Sequence, residues 1–222
     1  MLDTFRRAFQ IKDIRKKILY TFLMLVVIRV GSQLPTPGVN AQFIQNFFEQ
    51  HTGEAFNLFN AFTGGSFEQM SVFALSITPY ITSSIIMQLL TIAIPKLEEM
   101  RKEGEDGRKK IVAITRYVTV LLALIQSSAM AIGFGRQGLL IEYNFVNIAI
   151  VILTLTAGSA FLMWIGERIT EKGVGNGISI VLVINIISSI PSDMTRLYEQ
   201  FVKDKPVASA ALAALVILAI IL

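Results

Sequence analysis

Apolar residues in this chain come in long blocks, interrupted by short polar stretches. Five blocks, at about 18–34, 71–94, 111–134, 145–165 and 178–190, are candidate membrane spans. Crossing a hydrocarbon core of about 30 Å takes roughly 20 mostly apolar helical residues. A sixth block begins near Val207 and stops at Leu222 inside the run AALVILAIIL, as expected of part of a longer protein. The pattern predicts an all-α, polytopic helical membrane protein. Three parts are expected: a cytoplasmic amphipathic N-terminus (1–17), spans one to five (18–206), and the truncated start of a sixth (207–222). In the first part Leu2, Phe5 and Phe9, followed by Ile18 at its boundary, recur at helical spacing with Arg and Lys between them. A short helix lying at the membrane interface and a frayed basic tail both fit that pattern.

One stretch breaks the rhythm. Residues 56–69 carry Phe56, Phe59, Phe62 and Phe67 around the pair Gly64 and Gly65, and 60–70 reads NAFTGGSFEQM. The stretch is too apolar for an ordinary surface loop, too short to span, and interrupted by glycine where a helix would continue. For the stretch by itself, an external loop buried against the bundle is the lesser alternative reading.

Composition agrees with a membrane chain: 53% hydrophobic and 16% charged residues over 222 positions, with a mean hydropathy of +0.61. Charge sets the orientation, because cytoplasmic flanks retain Lys and Arg. Residues 1–17, the segment 95–116, and Arg168 with Lys172 hold fifteen of the twenty basic residues, which predicts those parts inside. Arg29, Arg136, Arg196, Lys203 and Lys205 are left outside. The net charge of +4 then needs no nucleic acid to explain it. No cleavable signal peptide is evident, since the first apolar run is followed by LPTPG and not by a small-x-small site.

The inventory of reactive groups excludes most chemistry. The chain has no cysteine and one histidine, His51, in an external segment, so neither a Cys-ligated metal nor an HExxH zinc site can be built. Asp3, Asp13, Asp106, Asp193 and Asp204 all fall in flanks or loops, leaving no intramembrane aspartyl pair. GVGNG at 173–177 lacks the third glycine of a dinucleotide fingerprint, and TGGS at 63–66 lacks the GK[ST] of a phosphate loop. Both are better read as backbone devices that turn the chain at the membrane face. No catalytic residue, metal or cofactor is expected. Ion-coupled transporters bury charges near the midplane; here only Arg29 comes close, and snorkelling to the headgroups accounts for it.

Four motifs are more specific. They are RVGSQLPTPG (29–38), ITPYITSSIIMQLL (77–90), EGEDGRKK (103–110) and GERITEKGVGNGIS (166–179). Together they resemble the SecY family, pore subunits of protein-conducting channels, over nearly the whole chain, which is similar to the family's amino-terminal half. The family has ten spans in two inverted five-helix halves.

The resemblance implies a channel subunit, not an enzyme, that passes unfolded secretory proteins across a bacterial plasma membrane and inserts membrane proteins into it. The alternative from another class is a secondary transporter of inverted-repeat architecture. By the resemblance, 56–69 is a plug with Phe59, Phe62, Gly64, Gly65 and Phe67. Aligned with the family, Ile77 and Ile81, then Ile178 and Leu182, supply this half of an aliphatic pore ring; each pair is four apart and so shares a helix face. Generic helix packing explains such pairs as well from pattern alone. Ser83, Ser84, Gln88 and Gln126 are candidates for a lateral gate through which signal peptides and nascent helices reach lipid; packing within this half explains them equally. Arg101, Lys102, Arg108, Lys109 and Lys110 are secondary candidates for contact with a cytoplasmic partner. The partners implied are SecE and SecG subunits, the SecA motor ATPase, the ribosome, signal peptides and nascent polypeptides, membrane lipid, and the carboxy-terminal half of the channel.

Overall fold

The computed structural model describes residues 11–50 and 60–201. The first part of the amino-terminal segment, His51, Phe56, Phe59 and the expected sixth span lie outside the described residues. Seven α-helices occur among them: α1 (Lys12–Ser32), α2 (Ala41–Gln50), α3 (Thr78–Ala93), α4 (Pro95–Lys102), α5 (Glu105–Phe134), α6 (Phe145–Lys172) and α7 (Gly177–Phe201). No strand is present among the described residues, only isolated bridges. Among the described residues two helices are long and apolar enough to cross a membrane, the continuous stretch Glu105–Leu139 and Phe145–Lys172. Thr78–Ala93 and Pro95–Lys102 together qualify as a third, bent by 100° at the break.

Proline explains that bend. It has no N–H to donate and forces the residue before it toward extended backbone; Ile94, before Pro95, sits at φ −109°, ψ 112°. Pro79, inside the apolar block expected at 71–94, acts differently. It does not interrupt a helix running from 71; it lies in the first turn of α3, where its missing N–H would be unpaired anyway. Residues 64–77 before it form successive turns, with Met70 (φ 45°) and Ser76 (φ 53°) in the left-handed region.

The other spans keep their expected cores and extend beyond them. Helix α5 starts at Glu105, six residues before the apolar block, with Glu105 and Asp106 in its first turn, where carboxylates meet the positive end of the helix dipole. Helix α6 begins at Phe145 as expected and runs on to Lys172. Helix α7 continues to Phe201.

Helix α6 packs against α1, α5 and α7, while α3 and α4 pack against α5. Two buried clusters result. The outer one joins Ile44 of α2, Phe67, Met70, Leu75, Met130 of α5, Leu139 and Leu155. The inner one joins Ile28 of α1, Phe73, Ile77, Leu162, Ile165 and Ile169 of α6, and Val181 of α7. Residues 34–40 tie the outer end together: Val72 N donates to Leu34 O (2.9 Å), Thr36 N to Met70 O (2.9 Å) and Asn40 N to Leu139 O (2.8 Å). Hydroxyls seam the helices within the bundle, Ser83 with Thr119 between α3 and α5, and Ser127 with Thr156 (3.0 Å) between α5 and α6.

Candidate functional site

The site begins with the loop between α6 and α7. Gly175 turns the chain at φ 71°, and Val174 N donates to Thr21 Oγ1 of α1 (3.1 Å). Asn176 caps α7 by accepting from Ile178 N (3.0 Å), and Gly177 N donates to Thr170 Oγ1 of α6 (2.8 Å). A methyl group at Gly177 would run into the carbonyl of Gly166. This close crossing brings the start of α7 onto α6.

Ile178 and Ile77 then meet over Gly166. A Cβ added there would lie 2.6 Å from Ile178 Cδ1 and 3.4 Å from Ile77 Cδ1. Ile77 is fully buried, while Ile81, Ile178 and Leu182 are partly buried and pack on the same inner cluster. Ile77 stands just before α3, yet Ile81 N still donates to Ile77 O (3.2 Å), so the pair keeps its one-turn spacing. All four residues of the expected ring are thus brought together.

On one side of these four residues lies the segment 60–70. It makes one helical turn and then a series of tight turns. Gly64 has φ 65°, and a Cβ there would be 2.9 Å from Asn185 O and from Ser188 Oγ on α7. Arg29 Nη1 donates to Gly64 O (3.4 Å), and Asn185 Nδ2 donates to Phe62 O (3.4 Å). Arg29 therefore has a partner in the protein, beyond the snorkelling that the sequence suggested. Phe67 is buried in the outer cluster and Phe62 remains 42% exposed. Gly65, at φ 80°, has open space where a side chain would go.

On the other side opens a cavity of about 1280 Å³, with Ile81 and Ile178 in its lining, Ser84 and Gln88 on one wall, and Arg101 and Arg108 also contributing. Arg116 of α5 and Glu167 of α6 pair across it (Nε to Oε1, 2.8 Å). Ser83 faces away from this space; it is fully buried in the seam with Thr119. Gln126, half-buried on α5, is not among the residues lining the cavity.

The basic residues of 101–110 divide in two. Lys102 pairs with Glu98 (2.6 Å), Lys109 with Asp106 (3.5 Å) and Lys110 with Glu103 (3.1 Å), all at the surface. The Lys102 ammonium holds the exposed Glu98 carboxyl below its usual range, first by hydrogen bond and then by charge. Arg101 and Arg108 line the cavity instead. Among the described residues no group of three or more His, Cys, Asp or Glu side chains could hold a metal ion.

Three participants were not singled out in the sequence. Thr119 and Asn185 lie outside the four motifs, and Gly166 only opens the motif GERITEKGVGNGIS. Asn185 alone offered a signal, an amide in an otherwise apolar run, which must find partners when buried.

Apolar helices of membrane-spanning length, packed into one bundle with a cavity among them, define a polytopic all-α membrane protein. Its fold is similar to that of a solved protein-conducting channel (TM-score 0.56, 15% identity, 91% of this chain and 41% of that one). It is likewise similar to Sec61 in the canine ribosome-channel complex of the endoplasmic reticulum (TM-score 0.55, 15% identity, 91% and 41%). The sequence model of the SecY family matches residues 71–222, and the chain belongs to that family. It is 46% identical to protein translocase subunit SecY of Bacillus subtilis over 231 residues, covering 100% of this chain and 53% of that protein. The same subunit of Escherichia coli K12 is 43% identical over 192 residues, 85% and 43% respectively. The chain spans about half the length of the curated relatives it matches. This membership favours a channel family over the secondary-transporter alternative.

Proposed function

We propose that this chain forms the amino-terminal half of a polypeptide-conducting channel in a bacterial plasma membrane, with its basic end in the cytoplasm. Unfolded chains enter through the 1280 Å³ cavity, pass the constriction of Ile77, Ile81, Ile178 and Leu182, and displace the plug, 56–69, whose described part begins at residue 60. One observation carries the reading: the four aliphatic side chains converge between a cavity on one side and a separately docked, glycine-hinged segment on the other.

Branched apolar side chains form a gasket that contacts any sequence without binding one, and an empty apolar constriction opposes ions by dewetting. Ser84 and Gln88 line the lateral gate, where membrane-bound segments leave for lipid; Gln126 belongs to the same gate, and Ser83 ties its two helices. Arg101 and Arg108 offer cationic contact to a cytoplasmic partner, the ribosome or the SecA motor, with Lys102, Lys109 and Lys110 beside them. SecE and SecG complete the complex, together with a second half of the channel.

The absence of cysteine makes the test direct. Single cysteines are placed at Ile81 and Phe62 of the complete channel, and a secretory chain carrying one cysteine is stalled within it. Disulfides are expected at both positions. Failure at both, while cysteines in external loops react, removes the pore assignment.

A further inference from the structure

The constriction and the docked segment share one amide. On α7, Ile178, Leu182 and Asn185 follow at i, i+4 and i+7, so the amide lies on the constriction's own face, further toward the docked segment. Asn185 is 3% exposed. Its Nδ2 donates both to Phe62 O of the segment (3.4 Å) and to Ser76 Oγ (3.1 Å).

Ser76 is itself unusual. It is 1% exposed and holds φ 53°, a left-handed conformation that residues with a Cβ rarely adopt. Its carbonyl accepts from Ser159 Oγ on α6 (3.2 Å). Ser76 is therefore clamped by side chains from α6 and α7, and the residue after it is Ile77. Such a conformation persists only where its surroundings hold it.

We propose that Asn185 is a latch. It couples the seating of the 60–70 segment to the left-handed backbone at Ser76, and through it to the position of Ile77 in the constriction. The inference rests on the channel reading and adds a regulatory residue to it. When the segment lifts from an idle channel, the amide loses Phe62 O in apolar surroundings, which opposes opening. When a polypeptide is present, its backbone carbonyls take the vacated bond, and the opposition disappears. The latch thus resists leakage more than it resists transport.

The complete channel is reconstituted into vesicles of phosphatidylethanolamine and phosphatidylglycerol. Thr63, 1% exposed within the segment, is replaced by cysteine and labelled with a membrane-impermeant maleimide. Asn185→Leu, close in size but without a donor, is expected to speed labelling of the idle channel about tenfold, the effect of one buried hydrogen bond and an orphaned partner. Its idle ion leak rises with it, and the gap between idle and loaded labelling narrows. Ser76→Ala, which removes only the hydroxyl that aims the amide, gives about threefold.

A cysteine at Ser127, fully buried in the α5–α6 seam, should label no faster in either variant. Unchanged labelling at Thr63 in both variants overturns the latch, as does an equal rise at Ser127, which would mean general loosening. If Asn185→Leu does not assemble, Ser76→Ala decides alone. Wild-type vesicles that pass no polypeptide would overturn the channel reading separately, while labelling at Thr63 still decides the latch.

Discussion

The stretch 60–77 and the helix after it, Thr78–Ala93, adjoin in sequence but are held by opposite means. The helix satisfies its own backbone and is pressed against α5 by buried small and hydroxylic residues, with Ser83 against Thr119 at the centre. The stretch has turns in place of a helix, and at its leading part, 60–65, the cross-chain ties are single hydrogen bonds from Arg29 and Asn185 to backbone carbonyls. Removing one residue from a packed seam costs a cavity or a clash that the bundle cannot relax around. Removing one donor from a docked carbonyl costs that bond and leaves the carbonyl orphaned, a penalty that undocking relieves because water or another chain can then take the bond. A part that must stay and a part that can leave are therefore distinguishable by what binds them.

The largest effect should come from the fixed part. Gly177→Val places a side chain against the carbonyl of Gly166, where backbone meets backbone and no flexible atom can yield. Separating α6 from α7 there also breaks the meeting of Ile77 and Ile178. The expected destabilisation is about 3 kcal/mol, the upper range of overpacking. It is read as failure to assemble, or as a large loss of thermal stability and protease resistance in detergent.

The docked part should respond locally. Gly64→Ala meets two obstacles, a left-handed φ of 65° and Asn185 O at 2.9 Å from the new Cβ. The conformational term alone is about 1–2 kcal/mol. Undocking of 60–70 relieves both without disturbing α3 or α6. Maleimide labelling of a cysteine at Thr63 should accelerate tenfold or more, with the melting of the whole protein nearly unchanged. Equal loss in both measurements would erase the distinction between the two regions.

The same contrast explains what the sequence disclosed. Helices α5 and α6 were legible because their apolar blocks exceed the span of a membrane, and the ring pairs because a four-residue spacing survives any local irregularity. Residues 71–77 read as helix because SVFALSI is mostly apolar, with neither glycine nor proline, and its turn is made by Ser76 at φ 53°, a serine where glycine would have announced it. The start of α5 was placed late because residues 105–110 are charged, and charge marks the limit of the hydrocarbon, not the limit of a helix. Gly166 was illegible for a different reason. One glycine in an apolar helix acquires meaning only from Ile77, eighty-nine positions earlier, and from Ile178.

The smallest effect sharpens the account of the fixed part. Ser83 Oγ meets Thr119 Oγ1, but Thr119 also donates to Thr115 O (2.8 Å) and Ser83 approaches Tyr80 O (2.9 Å). Each hydroxyl therefore has a second, local partner within its own helix. Ser83→Ala removes the bond between helices and leaves Thr119 satisfied, so the loss should be about 0.6–1 kcal/mol, as for other interhelical hydrogen bonds in membranes. If packing and not hydrogen bonding holds α3 to α5, Ser83→Ala will cost that little, while a leucine at 83 will prise the seam apart. Labelling at Thr63 should not change with Ser83→Ala, because the seam and the docked segment have no atom in common. A rise there would mean that α3 transmits movement along its length, and that the boundary between what stays and what leaves lies deeper than Thr78.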